Sequence, residues 1–359
     1  MDNLNGCMVD GTRCTVHGYT YGNMTKIIYR VPCTMYRVPC TVYQKNKNMK
    51  RRDFFKKGIL AGVAASALKF DKLQASLVNN EITVEKTPDL VAVMGGKPDA
   101  MLDKALEALG GIGNFIKKGQ NVVIKPNIGW DRKPELAANT NPILVGALVK
   151  KCLAAGASKV VVFDNTCDNW QKCYSSSGIS NAVKKAGGTI IPGNDEKYYK
   201  EINLPRGVNL KKAKIHEALL DADVWINVPI LKNHGGAKMS IAMKNYMGIV
   251  WDRGFFHAND LQQCIADICT WDKKPVLNII DGYRVMRQNG PQGKSVNDVS
   301  TLKTLIISSD IVAADTAAVQ FFNQVEKMPL DHVGHIGKGE SFQLGTTDLT
   351  KLNIKRIRI

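Results

Sequence analysis

The sequence predicts an α/β protein with a mostly parallel, doubly wound sheet and helices on both faces, in Rossmann-like layering. Two observations carry this prediction. Short apolar runs alternate with helical patterns between residues 90 and 322. The runs are continuously apolar, as is typical of strands that are covered on both faces. The 359 residues, 44% of them hydrophobic, are enough to build a large core.

The elements follow one another with short connections. The predicted strands are 90–94, 122–124, 160–163, 189–191, 224–228, 276–280 and 305–307. The predicted helices are 98–109, 142–152, 181–186, 239–247, 260–268 and 311–322. Proline in the first turn and glycine after the last turn mark the first of these helices. We expect one α/β domain over 76–359, with a small polar insertion near 192–222.

Residues 1–48 form a low-complexity extension that we expect to lie outside the native protein. Residues 29–35 and 36–42 agree at six of seven positions. Two copies are too few for a solenoid, because a solenoid needs at least three units to bury a core. We therefore expect translation to begin at Met49.

Residues 49–75 read as an export signal. The run Lys50 to Lys56 resembles the twin-arginine motif, and a short apolar stretch and Ala65-Ser66-Ala67 follow it. We expect the twin-arginine export machinery to carry the folded chain across the inner membrane to a periplasmic or extracellular location, with cleavage near Ala67. Because no cysteine follows the cleavage site and no apolar run reaches 18 residues, we expect no stable membrane anchor.

Charge and cysteine spacing disfavour several classes of protein. The net charge is +17, but residues 1–74 hold 13 of the 49 basic and 4 of the 32 acidic residues, so a surplus of 8 is spread over the remainder. A dispersed surplus predicts no sequence-specific nucleic-acid partner. The nine cysteines form no C-x-x-C pair. This spacing disfavours a disulfide framework, a structural zinc site and a ferredoxin-type cluster.

Polar residues follow five of the predicted strands. In open α/β sheets ligands bind beyond the carboxyl ends of the strands, so we expect these residues to share one rim. In strand order they are Lys125 and Asn127, Asp164 and Thr166, Lys232 and His234, Asp281 and Gly282, and Ser308 to Asp310. Asp310 is also well placed as the N-cap of the helix that follows.

Two lysines of this group, together with Lys244 from the predicted helix 239–247, predict an anion site. Lys125, Lys232 and Lys244 can converge on a phosphate or carboxylate, although one lysine alone is more often a solvated surface charge. Three interpretations of His234 stay open: a general acid or base, a metal ligand, or a residue that hydrogen-bonds its own loop.

The remaining candidates would position a ligand or a metal. Asp281, Asp315 and Asp164 are candidate ligands of a divalent metal, or partners of the lysines. Ligand contacts are expected from Asn127, Thr166, Asn245 and Gly282. Neither a P-loop nor a G-x-S-x-G elbow is present.

The ordered short motifs at 123–127, 222–234, 243–248, 280–282, 290–291 and 310–315 resemble the family called domain of unknown function 362. The resemblance covers roughly residues 89–340. It implies an α/β domain and little about the reaction. Some relatives carry iron–sulfur segments, which this sequence lacks, and Asn233 stands where the family usually has Thr.

Two hypotheses of function follow. The first is an exported enzyme that acts on a small anionic substrate, with His234, Lys232 and Lys244 as catalytic residues and a divalent metal as an assisting cofactor. The alternative is a non-catalytic binder or carrier of a metal or redox cofactor, exported already folded. The identity of the substrate, reaction and metal, and the oligomeric state, do not follow from the sequence.

Overall fold

The computed structural model describes residues 86–359 and four two-residue strands near the N-terminus. Those strands form two antiparallel pairs, Val9–Asp10 with Arg13–Cys14 and Tyr19–Thr20 with Asn23–Met24. Contacts divide the chain into the units Met1–Ile82 and Thr83–Ile359. The repeated residues 29–42 and the export signal at 49–75 lie outside the described residues. The non-native extension over 1–48 and the export signal both stay predictions.

The second unit is built on one large sheet of ten strands. Its strands are β1 (Leu90–Met94), β2 (Asn121–Pro126), β3 (Lys159–Val162), β4 (Thr189–Ile190), β7 (Val224–Val228), β8 (Ile230–His234), β9 (Lys238–Ser240), β10 (Leu277–Met286), β11 (Val299–Ser308) and β12 (Ile354–Arg358). The order across the sheet is β12-β1-β11-β10-β7-β2-β3-β4, while β8 pairs with β9 and with the second half of β10. A separate hairpin consists of β5 (Tyr199–Asn203) and β6 (Lys212–His216).

The predicted mostly parallel sheet is confirmed. β10, β7, β2, β3 and β4 run parallel to one another, and β12 runs parallel to β1. β11 runs antiparallel to both of its neighbours. The expectation that five strand ends share one rim is therefore wrong for β11. Its last residue, Ser308, pairs with Asn278 at the start of β10, so Asp310 lies at the opposite edge.

Helices cover both faces of the sheet, as predicted. One face carries α1 (Pro98–Ala108), α2 (Pro142–Ala154), α3 (Trp170–Ser176) and α4 (Ile179–Lys185). The other carries α5 (Glu217–Asp221), α6 (Ala242–Asn245), α7 (Gly254–Ala258), α8 (Leu261–Ile268), α9 (Ile311–Phe322) and α10 (Gly334–Ser341). Successive residues of β1 alternate between the two cores, with Val91 in one and Ala92 in the other. Within the described residues, no helix is long and apolar enough to cross a membrane.

Several predicted elements have different boundaries in the structure, and the differences at 239–247 and 276–280 lie beside β8. Residues 239–247, predicted as one helix, begin in β9, because Ser240 pairs with Lys232, and continue through α6 into a 3-10 turn. The strand predicted at 276–280 extends to Met286, since β8 pairs alongside it. Residues 192–222 contain the β5–β6 hairpin and α5.

Candidate functional site

A cavity of about 410 Å³ opens at the carboxyl ends of β2 and β3, beside β8 and α6. We call it the cationic cavity, because its lining contains four cations and one carboxylate: Lys125, Lys232, Lys244, Arg253 and Asp164. His234, His257, Asn127, Asn245 and Cys167 also line it. Strands β2 and β3 thus bring Lys125, Asn127 and Asp164 to one place, where the sheet geometry favours ligand binding.

The deepest contact in the cavity is a buried ion pair. The Nζ of Lys125 lies 2.8 Å from the Oδ1 of Asp164, and both side chains are at most 2% exposed. Burial lowers the pKa of Lys125, and the Asp164 carboxylate opposes that shift. A Cβ atom at Gly248 would overlap both members of the pair. Glycine at 248 is therefore a condition for this ion pair.

Lys232 is buried and fully engaged with protein oxygens. Its Nζ donates to the carbonyls of Ala138 (2.5 Å) and Pro291 (2.9 Å) and to the Oδ1 of Asn127 (3.4 Å). These three bonds tie two loops of the cavity wall to β8. Burial, with the nearby charge of Lys244, lowers the pKa of Lys232 to about 7.

Lys244 differs from the other two lysines. It lines the cavity from α6, is only partly buried, and its Nζ has no hydrogen-bond or ion-pair partner among the described residues. Burial, together with the charges of Arg253 and Lys125, lowers the pKa of Lys244 to about 8. The ammonium of Lys244 is therefore available to a ligand.

Arg253 and Cys167 form the outer wall. The guanidinium donates to the carbonyls of Asn165 (3.0 Å) and Thr166 (2.6 Å), and its Nη1 lies 3.1 Å from the exposed thiol of Cys167. Sequence reasoning missed Arg253, His257 and the place of Cys167 in the site. No strand precedes Arg253 or His257, so the strand-end rule pointed to neither.

His234 is held in one tautomer by its own loop. Its Nδ1 accepts from the backbone N–H of Ala237 at 3.1 Å, which leaves the ring proton on Nε2. Burial and the charges of Lys244 and Lys232 lower the pKa of His234 to about 2. The imidazole is neutral near pH 7, so it can donate a hydrogen bond but is a poor proton acceptor. Of the three interpretations of His234, the structure displays the hydrogen bond within the loop.

Asn245 holds the cavity floor together. Its Oδ1 accepts from Lys125 at 2.8 Å, and its Nδ2 donates to Asn227 (2.8 Å) and to the carbonyl of Lys125 (3.1 Å). Asn227 donates in turn to Asn278. Because the side-chain amide of Asn245 makes these hydrogen bonds within the protein, it orients Lys125 and has little hydrogen-bonding capacity left for a ligand.

Asp281 and Asp315 lie outside the cavity. Asp281 accepts the backbone N–H groups of Asn141 and Tyr283, and burial raises its pKa to about 6. Asp315 accepts those of Ala242 and Met243 at the start of α6, and burial raises its pKa to about 8. Each carboxylate therefore holds backbone N–H groups of neighbouring segments, and the two carboxylates do not share a site.

Two predicted ligand contacts are likewise absent from the cavity lining. Thr166 donates its hydroxyl to the carbonyl of Asp168 and contributes its own carbonyl to Arg253. Gly282 lies inside β10, packed against the carbonyl of Thr304. Asn127, by contrast, lines the cavity between Lys232 and Asn245.

The predicted metal has no cluster of ligands in the described part of the chain, where no group of three or more His, Cys, Asp or Glu side chains could hold one. The three predicted aspartates are separated, and Asp164 is already paired with Lys125. The divalent metal stays a prediction.

A larger cavity of about 550 Å³ lies near the opposite ends of β2 and β3, under the β5–β6 hairpin. Its titratable side chains include His216, whose two ring nitrogens are bonded to the carbonyl of Pro192 and the N–H of Ala218. Among its described lining residues, Lys159 is the one lysine or arginine. The cationic cavity is the better candidate for chemistry.

Comparison with known proteins adds three findings. The model of a family described as "Domain of unknown function (DUF362)" matches residues 122–320, more than half of the chain. The thylakoid-associated protein sll1697 of Synechocystis sp. is 24% identical over 247 residues, or 65% of this chain and 75% of that protein. The lactate racemase apoprotein from Thermoanaerobacterium thermosaccharolyticum matches with a TM-score of 0.44 and 14% identity, over 64% of this chain and 56% of that one.

Proposed function

We propose a function for this chain, which belongs to the family described as domain of unknown function DUF362. The cationic cavity binds a small molecule that carries a carboxylate or a phosphate, and the protein acts on that molecule as an enzyme. The observation that carries the proposal is the ammonium of Lys244, which has no partner among the described residues and lines a cavity with three further cations. The lining has one carboxylate, which is already neutralised by Lys125. A bound anion would therefore compensate a surplus of positive charge.

The chemical argument for an enzyme is the lowered pKa of two cavity lysines, Lys232 and Lys244. Groups that change charge near neutral pH are suited to proton transfer, and active sites collect groups of shifted pKa. Lys232, with its pKa lowered to about 7, is such a group, and it takes the proton-transfer role that was one of the three interpretations of His234. His234 would instead donate a hydrogen bond from Nε2.

Calorimetry tests the binding half of the proposal. Inorganic phosphate, pyrophosphate and oxalate would be titrated into the full-length wild type, Lys244→Met and Lys184→Met, the last an exposed lysine on α4. We expect Lys244→Met to weaken binding about 10- to 100-fold, as for loss of one charged hydrogen bond, and Lys184→Met to match the wild type. Equal affinities in all three proteins would contradict the proposal.

Turnover distinguishes an enzyme from a carrier. The wild type and Lys244→Met would be incubated with a mixture of phosphorylated and carboxylated metabolites, followed by mass spectrometry. Depletion of one anion by the wild type, but not by Lys244→Met, supports an enzyme. A stoichiometric ligand that stays bound and unchanged would instead favour a carrier.

We also propose that residues 49–75 direct export by the twin-arginine route, a proposal that rests on the sequence motif alone. These residues would be fused to a reporter that is active only after export. Replacing Arg51 and Arg52 by lysine should abolish reporter activity, while replacing Lys56 and Lys57 by arginine should preserve it. Export that survives the first pair of changes would contradict the proposal.

A further inference from the structure

The three cavity lysines differ in what their amines can do. Lys125 is committed to Asp164 and Asn245, and Lys232 to three protein oxygens. A nitrogen held by acceptor oxygens in this way must break these hydrogen bonds before it can attack a substrate. Lys244 alone of the three has an Nζ without a partner among the described residues, and it lines the cavity.

The surroundings of Lys244 favour its neutral amine. Burial and the positive charges of Arg253 and Lys125 lower the pKa of Lys244 to about 8. In roughly a tenth of the molecules the Lys244 amine is then uncharged at pH 7, a far larger fraction than for an ordinary lysine with a pKa near 10.4. An amine that is desolvated and placed beside other cations is the usual form of a nucleophilic lysine.

We propose that Lys244 forms a Schiff base with the carbonyl carbon of an aldehyde or ketone that also carries a carboxylate or phosphate. This inference rests on the proposed function, and it narrows the substrate from any small anion to an anionic carbonyl compound. Arg253 would hold the anionic group at the outer wall, since its guanidinium retains donors beyond the three bonds it makes. The amine of Lys244 would then face the carbonyl.

The step balances without an added oxidant or metal. The neutral amine attacks the carbonyl carbon, a C–N bond forms, and one proton passes from nitrogen to the former carbonyl oxygen. One further proton, from the Lys232 ammonium or solvent, lets the hydroxyl leave as water. The product is a protonated imine. The Nε2–H of His234 is available to stabilise the oxygen while it bears charge.

Reductive trapping tests the inference on the full-length protein. The protein would be incubated with dihydroxyacetone phosphate or glyoxylate and sodium cyanoborohydride, and the adduct located by peptide mass spectrometry. We expect one adduct per chain, on Lys244. The matched compounds without a carbonyl, glycerol 3-phosphate and glycolate, should give none. Lys244→Arg should lose the adduct, whereas Lys184→Arg should keep it.

The outcomes separate this inference from the proposed function. A wild type that binds inorganic phosphate but gives no adduct with either carbonyl compound would overturn the Schiff base and leave anion binding in place. Adducts spread over exposed lysines, or an adduct that survives Lys244→Arg, would also overturn it. Absence of phosphate binding would instead count against the proposed function. A reversible thiol adduct at Cys167 would not be reduced to a stable product, so it cannot imitate the expected result.

Discussion

The side-chain amides of Asn245 and Asn227 are joined by a hydrogen bond of 2.8 Å in the interior of the protein. Asn245 stands on α6 and Asn227 on β7, and Asn227 continues the chain of bonds to Asn278 on β10. These buried amides connect the floor of the cationic cavity to the middle of the sheet. The orientation of Lys125 therefore depends on residues that never touch the cavity.

This relationship predicts that Asn245→Ala destabilises the fold. The change leaves the Oδ1 of Asn227 and the ammonium of Lys125 each one partner short in a buried place. We expect the free energy of unfolding to fall by about 2–4 kcal/mol, measured by urea denaturation. Asn181→Ala on the exposed side of α4 should change it by less than ~0.5 kcal/mol. Equal stabilities would show that the amide chain contributes little.

The cavity lysines predict a pH dependence of anion binding. Because the pKa is lowered to about 8 at Lys244 and to about 7 at Lys232, both lysines are fully charged only below pH 7. An anion binds the charged forms, so its affinity should be highest below pH 7 and fall as the pH rises through 7 to 9. Sulfate is the suitable probe, since its own charge stays constant over this range.

Lys244→Arg serves as the control for that experiment. Arginine keeps its charge throughout the range, so the variant should lose less affinity than the wild type between pH 7 and 9. Calorimetry in two buffers of different ionisation enthalpy should also detect proton uptake on binding by the wild type near pH 8. A flat affinity profile in the wild type would argue against titrating lysines in the cavity.

The space beside the ion pair of Lys125 and Asp164 admits only glycine at position 248. A Cβ at this position would overlap the Lys125 ammonium and the Asp164 carboxylate, so Gly248→Ala must displace one of them. We expect a loss of about 1–3 kcal/mol in the free energy of unfolding, together with weaker anion binding. Gly337→Ala on α10 meets no atom within 4 Å and should be neutral or slightly stabilising. Similar effects from both changes would refute the steric explanation.

The carboxylate of Asp267 anchors the loop between β5 and β6. The carboxylate is fully buried and accepts the backbone N–H groups of Val208, Asn209 and Leu210. Asp267→Ala should lower the free energy of unfolding by about 2–4 kcal/mol and speed hydrogen exchange at those three amides. The exposed Asp272→Ala should do neither. Unchanged exchange at residues 208–210 would mean that the turn holds its shape unaided.

Much of the fold was predictable because it rests on local patterns. The apolar runs at 90–94 and 224–228 became β1 and β7 with the same bounds, and Asp310 caps α9 as expected. The family resemblance, read from short motifs, is confirmed by the match over residues 122–320. Propensity, capping and burial on both faces act within a few residues, so the sequence reveals them.

The sequence by itself determined the alternation of strands and helices and the placement of Lys125, Asn127 and Asp164 at strand ends. Only the tertiary structure decided the direction of β11, which moved Asp310 to the opposite edge. It also decided that Asp281 and Asp315 bind backbone amides, and that Arg253 reaches the cavity. The physical reason is that strand direction and side-chain partners depend on contacts between residues far apart in the chain. Such contacts leave no local pattern in the sequence.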